Sequence, residues 1–231
     1  MAAAQHSALV LLADGTEEIE FTTSYEYVLL LVGATPIWQY EPRLIWSSQS
    51  ILIRAGWNVK SVGVKLANPF FAQCSRNVRI LPDFPSPHEI PDRFLDAASV
   101  LVIPGGAPGA KTFCKSDDVL RLIREFRNDG KYVALICAGT TALVESIKAP
   151  EAEGEATKKC KVTSHPSVKQ EIVDAGWTYA DDKERVVVDG KVITSRGPGT
   201  AILFALTIVE MLAGKEKAEE LRGPMICAET I

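Results

Sequence analysis

Short apolar runs that stop abruptly at small or turn-forming residues constrain this chain more than any other feature of its sequence. Residues 7–13, 99–103 and 132–136 read SALVLLA, SVLVI and YVALI. Asp14-Gly15, Pro104-Gly105-Gly106 and Cys137-Ala138-Gly139 follow these three runs directly. Continuous apolar runs of this length are typical of strands buried on both faces of a parallel sheet. Segments with helical spacing of apolar residues, such as 117–127, lie between them. The sequence therefore predicts an α/β fold, a three-layer sandwich with a mainly parallel sheet and helices on both faces.

Further patterns fill in this outline. Residues 72–80 predict a small strand pair around Cys74, and Asp189-Gly190 between two β-type runs predicts a hairpin. Acidic residues at 17–20 indicate the start of a helix, because they interact favourably with its dipole. The polar segment 149–161 is interpreted as a surface loop.

Length and charge limit the class of protein. The 231 residues suit one domain, 1–231, and 47% apolar residues are ample for a buried core. The net charge is −4 and the basic residues are scattered, so no nucleic acid partner is expected. No apolar run is long enough to span a bilayer, so no membrane association is expected. The first strand-like run begins near Ser7, which leaves no room for a signal peptide.

The cysteines indicate a compartment and exclude some sites. There are five, none in a C-x-x-C pattern, which disfavours a disulfide framework and a zinc site. We therefore expect a reducing compartment, the cytoplasm with or without the nucleus. No metal or nucleotide cofactor is expected.

Cys137 is the sharpest chemical signal. It stands between a β-type run and a helix that begins at once, and the small residues Ala138 and Gly139 follow it. Such a strand–turn–helix elbow exposes a nucleophile, and the new helix N-terminus favours the thiolate and lowers a thiol pKa. The alternative is a buried structural cysteine, which is common in proteins.

Other residues follow predicted strands at the same edge of the sheet, where ligands bind in open α/β folds. The backbone amides of Gly106 and Ala138 are candidates for an oxyanion hole, although Pro104-Gly105-Gly106 could be only a tight turn. His165 is the best placed of three histidines for a base, the alternative being a capping or core histidine. Glu17, Glu18 and Glu20 are ambiguous in isolation, because carboxylates are common at a helix start.

Taken together, these blocks resemble the ThiJ/PfpI superfamily, within the class I glutamine-amidotransferase-like, flavodoxin-like fold. The similar branch is that of the parkinsonism-associated protein deglycase and its fungal glyoxalase relatives. The blocks that carry the resemblance are LADGTEEIE (12–20), QCSRNV (73–78), VIPGGAPGA (102–110), ICAGTTAL (136–143), VTSHP (162–166) and ITSRGPGT (193–200).

The resemblance implies roles for single residues. Cys137 matches the oxidisable nucleophile, and Glu20 matches the glutamate that hydrogen-bonds its thiolate. Gly106 and Ala138 match the amides that stabilise an oxyanion, and His165 matches the nearby histidine. Peptidase and glutaminase activities are not implied, because Ala138 stands where the protease branch has histidine and His165-Pro166-Ser167 lacks the glutamate of a His-x-Glu triad.

The resemblance also implies a function. This function is the cofactor-free conversion of methylglyoxal to lactate, or the removal of early glycation adducts from proteins, and both use a cysteine nucleophile. The first activity would make the enzyme a glyoxalase of the lactate dehydratase type, which is a carbon–oxygen lyase. The alternative is an oxidative-stress redox sensor or chaperone with little turnover. The implied partners are a small reactive aldehyde and a second copy of the chain in a homodimer.

Residues 27–50 depart from the family pattern. They interrupt the first helix, through which the family's dimer packs, and they contain Pro36, Pro42, Trp38 and Trp46. Prolines end helices. A genuine insertion and a translated retained intron are both compatible with the sequence, and the second is our hypothesis.

Overall fold

A computed structural model describes residues 6–24 and 51–228. Its central sheet has the strand order β2-β1-β5-β6-β10-β9, and every neighbouring pair is parallel except β9 and β10. The strands in this order are Asn58–Gly63, Ser7–Leu12, Ala98–Ile103, Tyr132–Ile136, Val192–Ser195 and Val186–Asp189. The predicted mainly parallel sheet is therefore confirmed.

The apolar runs are buried on both faces of this sheet. Every residue of β1 is buried, and alternate residues serve different cores. Ala8, Val10 and Leu12 belong to one apolar cluster, whereas Leu9 and Leu11 belong to the other. Side chains alternate across a strand, so an unbroken apolar run lets a single strand supply both cores.

Helices cover both faces and complete the predicted three layers. The first cluster contains residues of α1, α2, α8 and α9, and the second contains residues of α3, α4, α5, α6 and α7. The helices in chain order are α1 Glu18–Ser24, α2 Ile51–Arg54, α3 Asp92–Ala97, α4 Ala107–Cys114, α5 Asp117–Asn128, α6 Thr140–Ser146, α7 Lys169–Asp174, α8 Ala201–Ala213 and α9 Lys215–Arg222.

Two small features were also predicted correctly. The strands β3 (Ala72–Gln73) and β4 (Arg79–Ile80) pair antiparallel on either side of Cys74. The hairpin of β9 and β10 pairs Asp189 with Val192 around Gly190. A second two-stranded sheet, β7 (Lys161–Val162) with β8 (Thr178–Tyr179), is parallel.

The interpretation of residues 149–161 as a surface loop was wrong in part. A short 3₁₀ helix forms over Gly154–Thr157, and Ala156 within it is completely buried. The Ala156 N–H donates to Asn128 Oδ1 over 2.9 Å, and the Arg127 guanidinium donates to the carbonyls of Ala156 and Lys158. Two polar side chains at the end of α5 therefore supply hydrogen-bond partners for the backbone groups of a polar segment that packs inward.

The strand register determines where functional residues meet. β5 and β6 are aligned so that Ile103 pairs with Leu135, and β6 and β10 so that Ile136 pairs with Ser195. The segments after β1, β5, β6 and β10 therefore leave the sheet at its carboxyl edge. This edge is the usual ligand-binding side of an open α/β sheet.

The 27–50 segment, predicted to interrupt the first helix, lies outside the described residues. Within the described ranges, residues 6–24 and 51–228, no helix has the length and apolar character needed to cross a bilayer.

Replacing Arg127 by methionine should destabilise the protein, because it leaves the carbonyls of Ala156 and Lys158 without their donor. Arg127 is 7% exposed, so water replaces these bonds poorly. We expect a loss of about 2–3 kcal/mol in the free energy of unfolding, measured by urea denaturation. The matched control on the same helix is Arg121→Met, which removes exposed ion pairs to Asp118 and Glu125 and should cost below about 1 kcal/mol. Equal losses in both variants would contradict this account of the segment.

Candidate active site

Cys137 occupies the predicted sharp elbow. β6 ends at Ile136, a 3₁₀ turn covers Cys137–Gly139, and α6 begins at Thr140. The backbone φ of Cys137 is +62°, a left-handed conformation that residues other than glycine rarely adopt. Such strain costs about 1–3 kcal/mol and concentrates at functional sites, where surrounding structure enforces it. The elbow does not expose its nucleophile freely, however, because Cys137 is only 8% exposed.

Gly105 allows the loop after β5 to approach the elbow. A Cβ atom at this position would lie 2.5 Å from Cys137 Cβ, 2.7 Å from Glu20 Oε2 and 3.0 Å from the Ala138 nitrogen. These distances are shorter than van der Waals contact, so no other residue fits without movement. Gly105 is therefore the point at which three parts of the chain converge: the loop after β5, the elbow after β6 and helix α1.

Gly106 is required for a different reason. Its φ is +87°, and a side chain there would meet the Gly15 carbonyl at 2.1 Å and the Glu17 nitrogen at 2.7 Å. This conformation directs its backbone N–H to the Cys137 sulfur, as the Ala138 N–H is directed from the elbow itself. Both N–H groups lower the pKa of the thiol. The structure thus brings the two predicted oxyanion donors to the same sulfur.

Glu20 is completely buried in α1 and lies against the elbow. Its Oε2 accepts a 2.7 Å hydrogen bond from the Gly105 N–H, and its Oε1 is buried with no hydrogen-bond partner among the described residues. Burial raises the pKa of Glu20 to about 7, and the hydrogen bond from Gly105 and the interaction with the Cys137 thiol limit the rise. This carboxyl group can therefore gain or lose a proton near neutral pH.

The structure separates the three glutamates that sequence alone left ambiguous. The Glu18 carboxylate accepts hydrogen bonds from Ser75 Oγ at 2.7 Å and from the Arg76 N–H. Glu17 Oε2 accepts a 2.9 Å hydrogen bond from the Glu20 N–H. Only Glu20 of the three interacts with the Cys137 side chain.

The expected lowering of the Cys137 pKa was wrong. Burial, followed by the charge of Glu20, raises the pKa of the thiol to about 12, despite the N–H groups of Gly106 and Ala138. The sequence prediction included the helix start and the amide donors but could not include desolvation or the facing carboxylate. At neutral pH the resting site therefore holds a thiol beside a carboxyl group of intermediate basicity.

His165 lies at the end of β7 and is exposed. Its Nδ1 accepts a 3.2 Å hydrogen bond from the Ser167 N–H and contacts Ser167 Oγ at 2.8 Å, which caps the short 3₁₀ helix Pro166–Val168. Its ring also faces Gly197, in the loop after β10. No hydrogen bond within the described segments joins His165 to Cys137 or Glu20, so the structure assigns it the capping role and leaves its role as a base a prediction.

Two contributors to the site were missed by sequence reasoning. Gly105 was treated only as part of a turn, although a doubled glycine directly after a buried strand could have signalled a close approach. Thr141 donates a 2.7 Å hydrogen bond from Oγ1 to the Ala138 carbonyl, and it contacts Cys114 Sγ at 3.3 Å. Thr141 thereby fixes the peptide that follows the nucleophile, and no sequence signal distinguishes it from any other helical threonine.

All five cysteines are free thiols. Among the side chains of residues 6–24 and 51–228, no group of three or more His, Cys, Asp or Glu is arranged to hold a metal ion.

Comparison with known proteins gives one family. The model of the DJ-1/PfpI family matches residues 6–211. Protein dj-1beta of Drosophila melanogaster is 37% identical over 222 residues, covering 96% of this chain and 97% of that protein. The glutathione-independent glyoxalase DJR-1.2 of Caenorhabditis elegans is 32% identical over 98% of this chain and all of that protein. The glutathione-independent glyoxalase DJ-1 of Schizosaccharomyces pombe is 32% identical over 89% of this chain and 90% of its own.

Solved structures agree with the sequence matches. The crystal structure of Drosophila melanogaster DJ-1beta superposes with a TM-score of 0.75 at 36% identity, covering 97% of this chain and 99% of that one. Schizosaccharomyces pombe DJ-1 superposes with a TM-score of 0.74 at 31% identity, covering 96% of this chain and all of that one. The chain belongs to the DJ-1/PfpI family.

Proposed function

We propose that this protein is a glutathione-independent glyoxalase that converts methylglyoxal to lactate with Cys137 as nucleophile. The observation that carries the proposal is the placement of Glu20 and of the Gly106 and Ala138 N–H groups around one thiol. Two relatives that align with most of this chain carry the name glutathione-independent glyoxalase. We also propose that the protein acts in the cytoplasm as a homodimer.

The first step uses Glu20 as a base. Glu20 removes the proton from the Cys137 thiol as the sulfur attacks the aldehyde carbon of methylglyoxal. The carbonyl oxygen becomes an oxyanion, which the N–H groups of Gly106 and Ala138 stabilise. Glu20 then returns its proton to that oxygen, which gives a hemithioacetal.

The second step moves a proton between carbons. The Glu20 carboxylate removes the hydrogen of the former aldehyde carbon as a proton, which leaves an enediolate, and delivers this proton to the adjacent carbon. The hydroxyl proton on the former aldehyde oxygen passes to the neighbouring oxygen, which becomes the hydroxyl group of the lactoyl product. The product is a lactoyl thioester of Cys137, and water hydrolyses it to lactate and the free thiol. Methylglyoxal and one water molecule are consumed for each lactate, without an external oxidant or reductant. We assign His165 to support these proton transfers from the solvent side.

The pKa of Glu20 suits this role. A group that must both accept and donate a proton works best when its pKa lies near the working pH, and that of Glu20 is about 7. The thiol pKa of about 12 means that few sites hold a thiolate at rest, so deprotonation must accompany attack. The same attack would act on early glycation adducts of protein side chains.

The redox-sensor alternative is less well supported. Thiolates, not thiols, are oxidised readily, and sensor cysteines generally combine a low pKa with exposure. Cys137 has neither property, because it is 8% exposed and the pKa of its thiol is raised to about 12.

Cys137→Ser should lower lactate formation from methylglyoxal by roughly 1000-fold or more, because a serine hydroxyl is a far weaker nucleophile. The assay is enzymatic quantification of lactate with purified protein. The control is Cys160→Ser, which alters a thiol near Arg127 and Asp189, far from the carboxyl edge of the sheet. Substantial lactate formation by Cys137→Ser, or equal losses in both variants, would exclude the proposed nucleophile.

The pH profile should reflect Glu20. We expect kcat/KM to rise about tenfold per pH unit below a midpoint near pH 7, where Glu20 ionises, and to level off above it. Glu20→Gln should lower kcat/KM by roughly 100-fold to 10,000-fold and abolish this midpoint. The measurement is initial rates between pH 5 and pH 9; a midpoint retained by Glu20→Gln would assign it to another group.

Glu20→Gln should also make the protein more stable at alkaline pH. The folded-state pKa of about 7 exceeds the ordinary value of 4.5, so ionising Glu20 opposes folding. The contribution of Glu20 to stability is fully present below pH 4.5 and is lost as the pH rises to about 7, by about 3 kcal/mol in total. Glutamine avoids this loss and keeps an acceptor for Gly105. Urea denaturation should therefore find the variant more stable than wild type at pH 8 and nearly equal to it at pH 4; the same difference at both pH values would argue against a buried titrating carboxyl.

A further inference from the structure

Glu17 is connected to the site by both its backbone and its side chain. It directly precedes α1, and its Oε2 accepts a 2.9 Å hydrogen bond from the Glu20 N–H, as a helix-capping side chain does. Its own N–H donates to the Gly105 carbonyl over 3.1 Å.

These bonds close a ring of three hydrogen bonds around the base. The Glu17 N–H donates to the Gly105 carbonyl, the Gly105 N–H donates to Glu20 Oε2 over 2.7 Å, and the Glu20 N–H donates to Glu17 Oε2. The ring joins the first turn of α1 to the loop after β5. Since Gly105 also contacts Cys137, a displacement of Glu17 would move the base relative to the nucleophile.

Charge reinforces this connection. After burial, the charge of Glu17 is the other influence that raises the pKa of Glu20, whereas Gly105 and Cys137 lower it. Burial and the neighbouring charge of Glu18 raise the pKa of Glu17 itself, while its backbone hydrogen bonds and Arg76 lower it. The same charges act on Cys74, because burial and then the charges of Glu18, Asp14 and Glu17 raise the pKa of its thiol. In the described parts of the chain, α2, α8 and β1 pack against α1 and bring no further charge to Glu20.

We propose that Glu17 is a positioning residue of this site, which holds Glu20 against Cys137 and keeps a second negative charge beside it, and so sets the pH at which the pair becomes reactive. This role deepens the proposed glyoxalase function and rests on it. Among the described residues, Glu20, Gly106 and Ala138 act on the Cys137 sulfur and Glu17 does not, so Glu17 acts through Glu20.

Glu18 provides a matched comparison. It carries the same charge in the same turn, but its carboxylate is engaged by Ser75 and Arg76 and does not act on Glu20. Removing its charge should weaken the loop after β3 without changing the titration of Glu20. A general charge effect at the helix start would affect both variants alike.

The test follows Cys137 directly and needs no aldehyde turnover. Wild type, Glu17→Gln, Glu17→Asp and Glu18→Gln are treated with iodoacetamide between pH 5 and pH 9, and mass spectrometry measures the alkylation rate of the Cys137 peptide. In wild type we expect this rate to rise with a midpoint near pH 7, as Glu20 becomes able to accept the thiol proton. Glu17→Gln keeps an oxygen for the Glu20 N–H but loses the charge, so its midpoint should fall by roughly half a unit to one unit. Glu17→Asp should restore most of the wild-type midpoint, and Glu18→Gln should keep it.

The outcomes separate this role from its alternatives. A Glu17→Gln midpoint equal to that of wild type would overturn the proposal, and so would an equal shift in Glu18→Gln. A loss of stability in Glu17→Gln without a shift would reduce Glu17 to a helix cap. If the shift is present but the wild-type protein forms no lactate from methylglyoxal, the role of Glu17 stands and the glyoxalase function fails.

Discussion

The site depends on one buried carboxyl group. Glu20 is excluded from water. Its Oε2 accepts a hydrogen bond from the Gly105 N–H, and its Oε1 has no hydrogen-bond partner among the residues that the structure describes. Burying a carboxylate is unfavourable unless it is paired, and a group in this position retains its proton to a higher pH instead. The rise of its pKa to about 7 is the direct result. Stability is thereby lost at neutral pH, and the group gains the basicity that proton transfer at neutral pH requires.

The fold supplies the contacts that hold this group in place. β1 and β6 both lie beside β5, so the segments after them meet at the carboxyl edge of the sheet. Gly105 permits the closest approach because a Cβ atom there would overlap both Cys137 and Glu20. The left-handed backbone of Cys137 then turns the sulfur toward the N–H groups of Gly106 and Ala138. Local strain is tolerated because several elements of the core fix it at once.

The sequence was sufficient for the features that local patterns determine. Apolar runs predicted the buried parallel strands, and Asp189-Gly190 predicted the hairpin. The glycine and alanine that follow β5 and β6 predicted the two N–H donors beside Cys137, whereas Glu20 was assigned by family resemblance and the role of His165 as a base stays a prediction. It failed where the outcome depends on contacts distant in sequence. The sign of the Cys137 pKa shift depends on burial and on Glu20, which lies in another element. The inward packing of Ala156 depends on Arg127, a residue of α5 whose donors cannot be assigned from a helical pattern.

A protonated thiol beside a base of intermediate pKa differs in principle from a permanently ionised cysteine. The thiolate is the form that reacts with oxidants and binds metals, so a thiol whose pKa is about 12 is protected at rest. An electrophilic carbonyl held at the N–H groups of Gly106 and Ala138 changes this balance, because negative charge moves from sulfur to an oxygen that these donors stabilise. Glu20 can then accept the proton at little cost, since its own pKa is about 7. In the proposed mechanism, reactivity therefore depends on a bound substrate, and this is why we favour turnover over redox sensing.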